Sequence, residues 1–208
     1  TLKPAFKAAH DGLRSSAVKN KMFLNGELTT ADAEEPSQVE KLLTVTQNSK
    51  TFKIGWQHSN GNRTHQYSIT DIERSSKESS LNIAWNGSSM NIDNKGSYTI
   101  AVPAEGDFKV LNVVAVNDAQ QYASVQFSDP IEVGQDLTGM ITVSNQSDIS
   151  YTINGSEVKL FVGGKLDGNF TINFCILFFV FGKLFALYFQ NIRILNYISF
   201  SISIPNKL

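Results

Sequence analysis

Residues Tyr122–Val143 read YASVQFSDPIEVGQDLTGMITV. Ala123, Val125 and Phe127 alternate with Tyr122, Ser124 and Gln126, the period-two pattern of a strand with one face in a core. Asp129-Pro130 then breaks the strand, because proline brings no N–H to a ladder and Asp favours turns. A polar turn follows around Gly134-Gln135-Asp136, and Ile141–Val143 resumes strand chemistry. The whole segment is strand, break, turn, strand, and nothing in it has the make-up of a catalytic centre.

The same grammar extends in both directions. Phe52, Ile54 and Trp56 share one row, Asn60-Gly61 is favoured hairpin-turn chemistry, and Tyr67 and Ile69 line the returning strand, with His65 a further candidate for that row. Leu81, Ile83 and Trp85 alternate up to a second Asn-Gly pair, Asn86-Gly87. Tyr98, Ile100 and Val102 form another row, ended by Pro103. Beyond Phe108, Val110–Ala115 is apolar on both rows, and Ile149, Tyr151 and Ile153 lead into Asn154-Gly155 with Val158, Leu160 and Val162 returning. One short helix is expected at Ser37-Gln38-Val39-Glu40, a capping-box pattern preceded by Pro36. Many short strands at near-regular spacing predict an all-β chain of antiparallel sandwiches.

Gly106-Asp107 marks the expected boundary. Residues 1–11 are expected to be a linker or the end of a preceding segment, 12–105 one sandwich, 106–170 a partial sandwich, and 171–208 a hydrophobic tail of different character. From Gly168 onward there is no Asp or Glu, and Phe, Ile, Leu, Asn, Tyr and Ser dominate. That is the composition of an AT-rich stretch translated out of frame, so the tail is expected to be a frameshift or gene-end product. A membrane span is the competing reading, but the apolar run from Phe174 is short and holds Lys183 near its centre. A buried strand pair is the third.

With 208 residues and a formal net charge of -1, the chain has no electrostatic footprint for nucleic acid or for a basic membrane patch. One cysteine, Cys175, permits neither an intramolecular disulfide nor a cysteine metal cluster. The chain opens Thr1-Leu2-Lys3-Pro4, without initiator Met or signal peptide, and is expected to be a piece of something longer.

No catalytic, cofactor or metal residue is assigned, and no enzyme activity is expected. His58 and His65 flank the Asn60-Gly61 turn and could face each other, but with His10 elsewhere no third ligand completes a zinc site. Solvated hairpin residues are the expectation. Asp71, Glu73, Asp129 and Asp136 lack the dense spacing of a calcium loop. Gly163-Gly164-Lys165 has the wrong spacing for a phosphate loop, and no Gly-x-Ser-x-Gly occurs. Trp56 and Trp85 could stack on a sugar, but each sits on the apolar row of a strand, where core packing is expected. The Asn-x-Ser triplets at Asn86 and Asn154 lie in turns.

Val125-Gln-Phe-Ser-Asp-Pro-Ile131 followed by Gln135-Asp-Leu-Thr-Gly-Met-Ile141 resembles a signature of bacterial alpha-2-macroglobulins. Asp71-Ile-Glu-Arg74, Ile83-Ala-Trp-Asn-Gly87, Ile92-Asp93 with Gly96, and Tyr151-Thr-Ile-Asn-Gly155 are similar to flanking parts of that family, as are Phe6–His10 and Phe23–Asp32. Coverage runs from about residue 4 to 168. The resemblance implies macroglobulin-like sandwich domains, the second incomplete, within a periplasmic lipoprotein at the inner membrane that traps proteases. Its partners would be other macroglobulin domains of the parent chain and, through the full-length protein, target proteases. The family's thioester motif Cys-x-Glu-Gln is not met, since Ile176, Leu177 and Phe178 follow Cys175; nor can a bait region or lipobox be identified. The chain is therefore expected to act as scaffold. The alternative is a surface sandwich for adhesion or carbohydrate binding, tethered to a membrane if the tail is genuine.

Overall fold

The alternating rows become fifteen strands in a computed structural model, which describes residues 6–58, 61, 63–117, 120–163, 168–176 and 196–204. All strand pairs with a defined register are antiparallel. The chain divides into two compact units, one holding residues up to Asn112 with Phe127–Pro130, the other Val113–Gln126 and the chain from Ile131.

The first unit has two sheets. Strands β1 (Phe6–Ser15), β2 (Lys21–Thr30), β5 (Gly55–His58) and β6 (Thr64–Glu73) pair in the order β1-β2-β6-β5. Strands β3 (Leu43–Gln47), β4 (Lys50–Thr51), β7 (Ser79–Asn86) and β8 (Lys95–Val102) pair as β4-β3-β7-β8. Met22, Leu24 and Ile69 from the first sheet meet Val45, Leu81 and Ile83 from the second in one core, each fully buried. Burying each such side chain contributes about 1.5–3 kcal/mol, which makes these rows the main source of stability. β1 starts inside the stretch expected to be a linker.

Three local expectations change. The strand expected through Phe52–Trp56 begins only at Gly55, as β5; the strand before it, β4, lies in the other sheet. Phe52–Ile54 carries the chain across, with Phe52 buried and its N–H donating to the Val45 carbonyl at 2.9 Å. The capping box does not form: helix α1 (Pro36–Val39) has Glu35 at its N-cap with no side-chain cap, and Pro36 fills the first turn, where a missing N–H costs nothing. A 3-10 turn, Glu40–Leu42, continues it and buries Leu42. At Asn86-Gly87 the chain makes a 3-10 turn, Gly87–Met90, in place of a two-residue hairpin; the Asn86 side chain caps it by accepting from the Ser88 N–H.

β6 carries a bulge. Its pairing with β2 shifts between Leu24↔Ile69 and Met22↔Ile72, and Asp71 takes φ 58°. The extra residue reverses the parity of the row. His65, Tyr67 and Ile69 are buried before it; Ile72 and Arg74 are buried after it.

A sheet lying mostly in the second unit pairs β9 (Val110–Asn117), β10 (Gln121–Phe127), β12 (Ile149–Asn154) and β13 (Glu157–Val162) in the order β12-β13-β10-β9. β12 and β13 are joined through Gly155-Ser156, with Asn154 opposite Glu157 and Gly155 at φ 60°. A glycine at the first central position suits this tight turn, one residue later than the Asn154-Gly155 reading. A second sheet holds β11 (Ile141–Val143), β14 (Gly168–Ile176) and β15 (Asn196–Ile204) in the order β11-β14-β15. Phe170, Ile172 and Phe174 of β14 form a buried row. Strand structure thus extends into the stretch expected to be foreign to the design; its alternation suffices to bury a face. Among the described residues no helix is long and apolar enough to cross a membrane. The run from Leu177 to Phe189 lies outside the described residues.

Candidate functional site

The register of β5 on β6 sets His58 directly opposite His65. Their Nδ1 atoms lie 2.9 Å apart, so one ring donates and the other accepts. His58 Nε2 faces the Glu40 carboxylate at 3.2 Å, which favours a proton on that nitrogen. His58 therefore presents a bare Nδ1, and His65 donates its Nδ1–H. His65 is 1% exposed, and its Nε2 is buried without a hydrogen-bond partner. Burial pushes its pKa below the usual imidazole value, and the neighbouring His58 adds to that. The Trp56 ring stacks on His58 at 5.5 Å and 14°. The expectation of solvated hairpin histidines is thus corrected for His65: the inward row of β6 carries it into the core. Asn60 lies outside the described residues.

No group of three or more His, Cys, Asp or Glu among the described residues could hold a metal ion. His10 accepts from the Gly12 N–H at 3.1 Å and packs edge-on against Tyr98; burial lowers its pKa against the opposing pull of Asp11. The four carboxylates considered for calcium are engaged separately. Glu73 meets Lys21 at 3.2 Å, and Asp71 accepts from the Thr70 hydroxyl at 3.4 Å. Asp136 accepts from the Thr138 N–H and from the Tyr151 hydroxyl; the Thr138 side chain first, then the Thr138 N–H and the Tyr151 hydroxyl, hold its pKa below the ordinary carboxylate value. The side chain of Cys175 lies outside the described residues, as do Gly164 and Lys165.

Asp129 has a partner that the sequence did not reveal. The Arg74 guanidinium, 3% exposed, spends all five N–H donors. Nη1 donates to Asp129 Oδ1 at 2.6 Å and to the Ser128 carbonyl at 3.1 Å. Nη2 donates to the carbonyls of Ala104 and Asp107 at 2.7 and 3.0 Å, and Nε to that of Pro103 at 3.3 Å. The Ser128 hydroxyl donates to the Asp107 carbonyl and accepts from the Lys109 N–H. A planar fork with five donors suits such a cluster of carbonyls, and lysine does not replace it. The signal for Arg74 is Ile72, three residues after Ile69 and out of phase with it, which betrays the bulge.

The aromatic platform does not materialise. A concavity of about 620 Å³ is lined by Asp11, Asn25, Trp56, Gln57, Gln66 and Tyr67 among others. Tyr67 is 2% exposed and donates its hydroxyl to the Ala9 carbonyl at 2.7 Å. Trp56 packs on the core, with Tyr67 and His58 against its ring. Trp85 also packs on the core, beside Tyr98, and donates to Asn94 Oδ1 at 3.1 Å.

Compared with known proteins, the chain matches no family model and no curated protein.

Proposed function

We propose that this chain is scaffold from a bacterial alpha-2-macroglobulin-type endopeptidase inhibitor, contributing shape while the covalent trap lies in other parts of the parent. The observation that carries this reading is the Arg74 network. Asp71-Ile-Glu-Arg74 and Ser128-Asp129-Pro130 are two separate stretches that resemble the family, and they meet through Arg74 and Asp129 at 2.6 Å. Residues of a signature that bond to one another and to backbone carbonyls shape a framework. The turn at Asp136 supports the same view, since its carboxylate is spent on Thr138 and Tyr151. On this reading the protein works in the periplasm at the inner membrane, among sibling macroglobulin domains.

The DNA downstream of this chain, read in all three frames, tests the proposal. A continuation through further sandwich domains to a Cys-x-Glu-Gln motif is the expected result. A sound frame that closes at this chain, with no thioester sequence beyond it, overturns it. The adhesion or carbohydrate alternative draws only on the concavity beside Trp56. Glycan-array binding that disappears in Trp56→Ala, with the fold retained, would favour that module instead.

A further inference from the structure

We propose that the His58–His65 pair, anchored by Glu40, is a proton-operated clasp on edge strand β5, released from β6 when the pair must carry two added protons. The inference rests on the geometry of the pair and is independent of the family reading.

A proton count gives the reason. In the neutral pair, His58 Nε2–H faces Glu40 and His65 Nδ1–H faces the bare His58 Nδ1. One added proton can be housed. It sits on His58 Nδ1 if the His65 proton moves to Nε2, and Glu40 faces the new cation. A second added proton cannot be housed. It returns an N–H to His65 Nδ1 and sets two N–H groups against each other at 2.9 Å. It also makes a cation of a ring that is 1% exposed and whose Nε2 has no acceptor.

No other described charge offsets this. From β2, Glu27 is engaged with Gln66 and Thr29; from the turn before β6, Arg63 faces Asp32; from the 3-10 turn, Glu40 reaches only the far nitrogen of His58. The cheapest relief is to lift β5. It is the outermost strand of its sheet, four residues long, with Gly55 and Gln57 exposed and its other two residues half-buried. Such a strand opens at far lower cost than the core strands. Lifting it separates the rings and gives His65 water.

The sign follows from linkage. His65 has a lowered pKa in the closed form and regains an ordinary imidazole value, about 6.5, once open. The open form then binds one more proton, so closure weakens as pH falls below about 6.5, by up to tenfold per pH unit. Hydrogen exchange on the full chain between about pH 7.5 and 5, expressed as protection factors, reads this directly. Protection at those β5 amides that donate to β6 is expected to fall up to about tenfold per unit, while β7–β8 amides hold theirs. His65→Asn should flatten the profile, and His58→Asn should make the fall smaller, because without the opposing charge the closed-form pKa of His65 lies nearer its open value. Constant protection in the parent chain, an equal fall in β7–β8, or an unchanged profile in His65→Asn would overturn the clasp. Should His65→Asn not fold, an unchanged profile in His58→Asn does so.

Discussion

Arg74 shows how one side chain can set the cost of a whole region. Its guanidinium satisfies four carbonyls and a carboxylate, all from chain segments far from it in sequence. Arg74→Ala leaves those acceptors unpaired and should cost about 3–5 kcal/mol in chemical denaturation. Arg74→Lys should recover only a minor part, because one ammonium cannot reach five acceptors. Tyr67 sits in comparable confinement. Gly26 lies opposite it in β2, and a Cβ at Gly26 would collide with the Tyr67 ring and the Ala9 carbonyl. Gly26→Ala is therefore expected to cost about 1–3 kcal/mol by overpacking. Burial, with Tyr98 and Asp11 nearby, pushes the Tyr67 phenol up to about 12. A raised folded pKa means stability that is complete below the unfolded value near 10 and lost as pH rises toward 12. Alkaline denaturation curves should show that loss, and Tyr67→Phe should reduce it.

At the scale of elements, the turns are the most exposed to single changes. Gly155 takes φ 60° between β12 and β13, so Gly155→Ala should cost about 1 kcal/mol, visible as a lowered denaturation midpoint. Most strands were legible in the sequence because alternation is a direct imprint of a half-buried sheet. Val125, Phe127, Ile83 and Leu160 all lie where that pattern put them. The irregularities were not legible, because they depend on partners distant in sequence. The bulge at Asp71 turns Arg74 inward by one residue of register against β2. The Ser37 capping pattern lost to Pro36, which already fixes the start of the helix. His65 read as a hairpin residue because polarity suggests exposure, whereas its parity with Tyr67 and Ile69 decides its burial. The Glu40 contact with His58 spans eighteen residues and had no local signature at all.

At the scale of the whole molecule, the chain holds two compact units with separate buried rows, one centred on residues such as Leu24 and Ile83, the other on residues such as Val125 and Leu160. Calorimetry of the full chain should resolve two transitions. Ile83→Val, at about 0.5–1.5 kcal/mol, should lower one, and Leu160→Ala, at about 2–5 kcal/mol, the other. The passage of the backbone at Phe52–Ile54 bears on how the first unit comes into being. Thr46 and Gln47 pair with Thr51 and Lys50 in one sheet, and eight residues after Lys50 the chain is pairing His58 with His65 in the other. A short tether of this kind cannot let one sheet assemble while the other stays unformed and remote. Docking β4 delivers β5 to the vicinity of β6, and the entropy of closing that loop is spent once for both layers. The crossover should therefore belong to the folding nucleus: truncating Phe52 should slow folding more than it speeds unfolding.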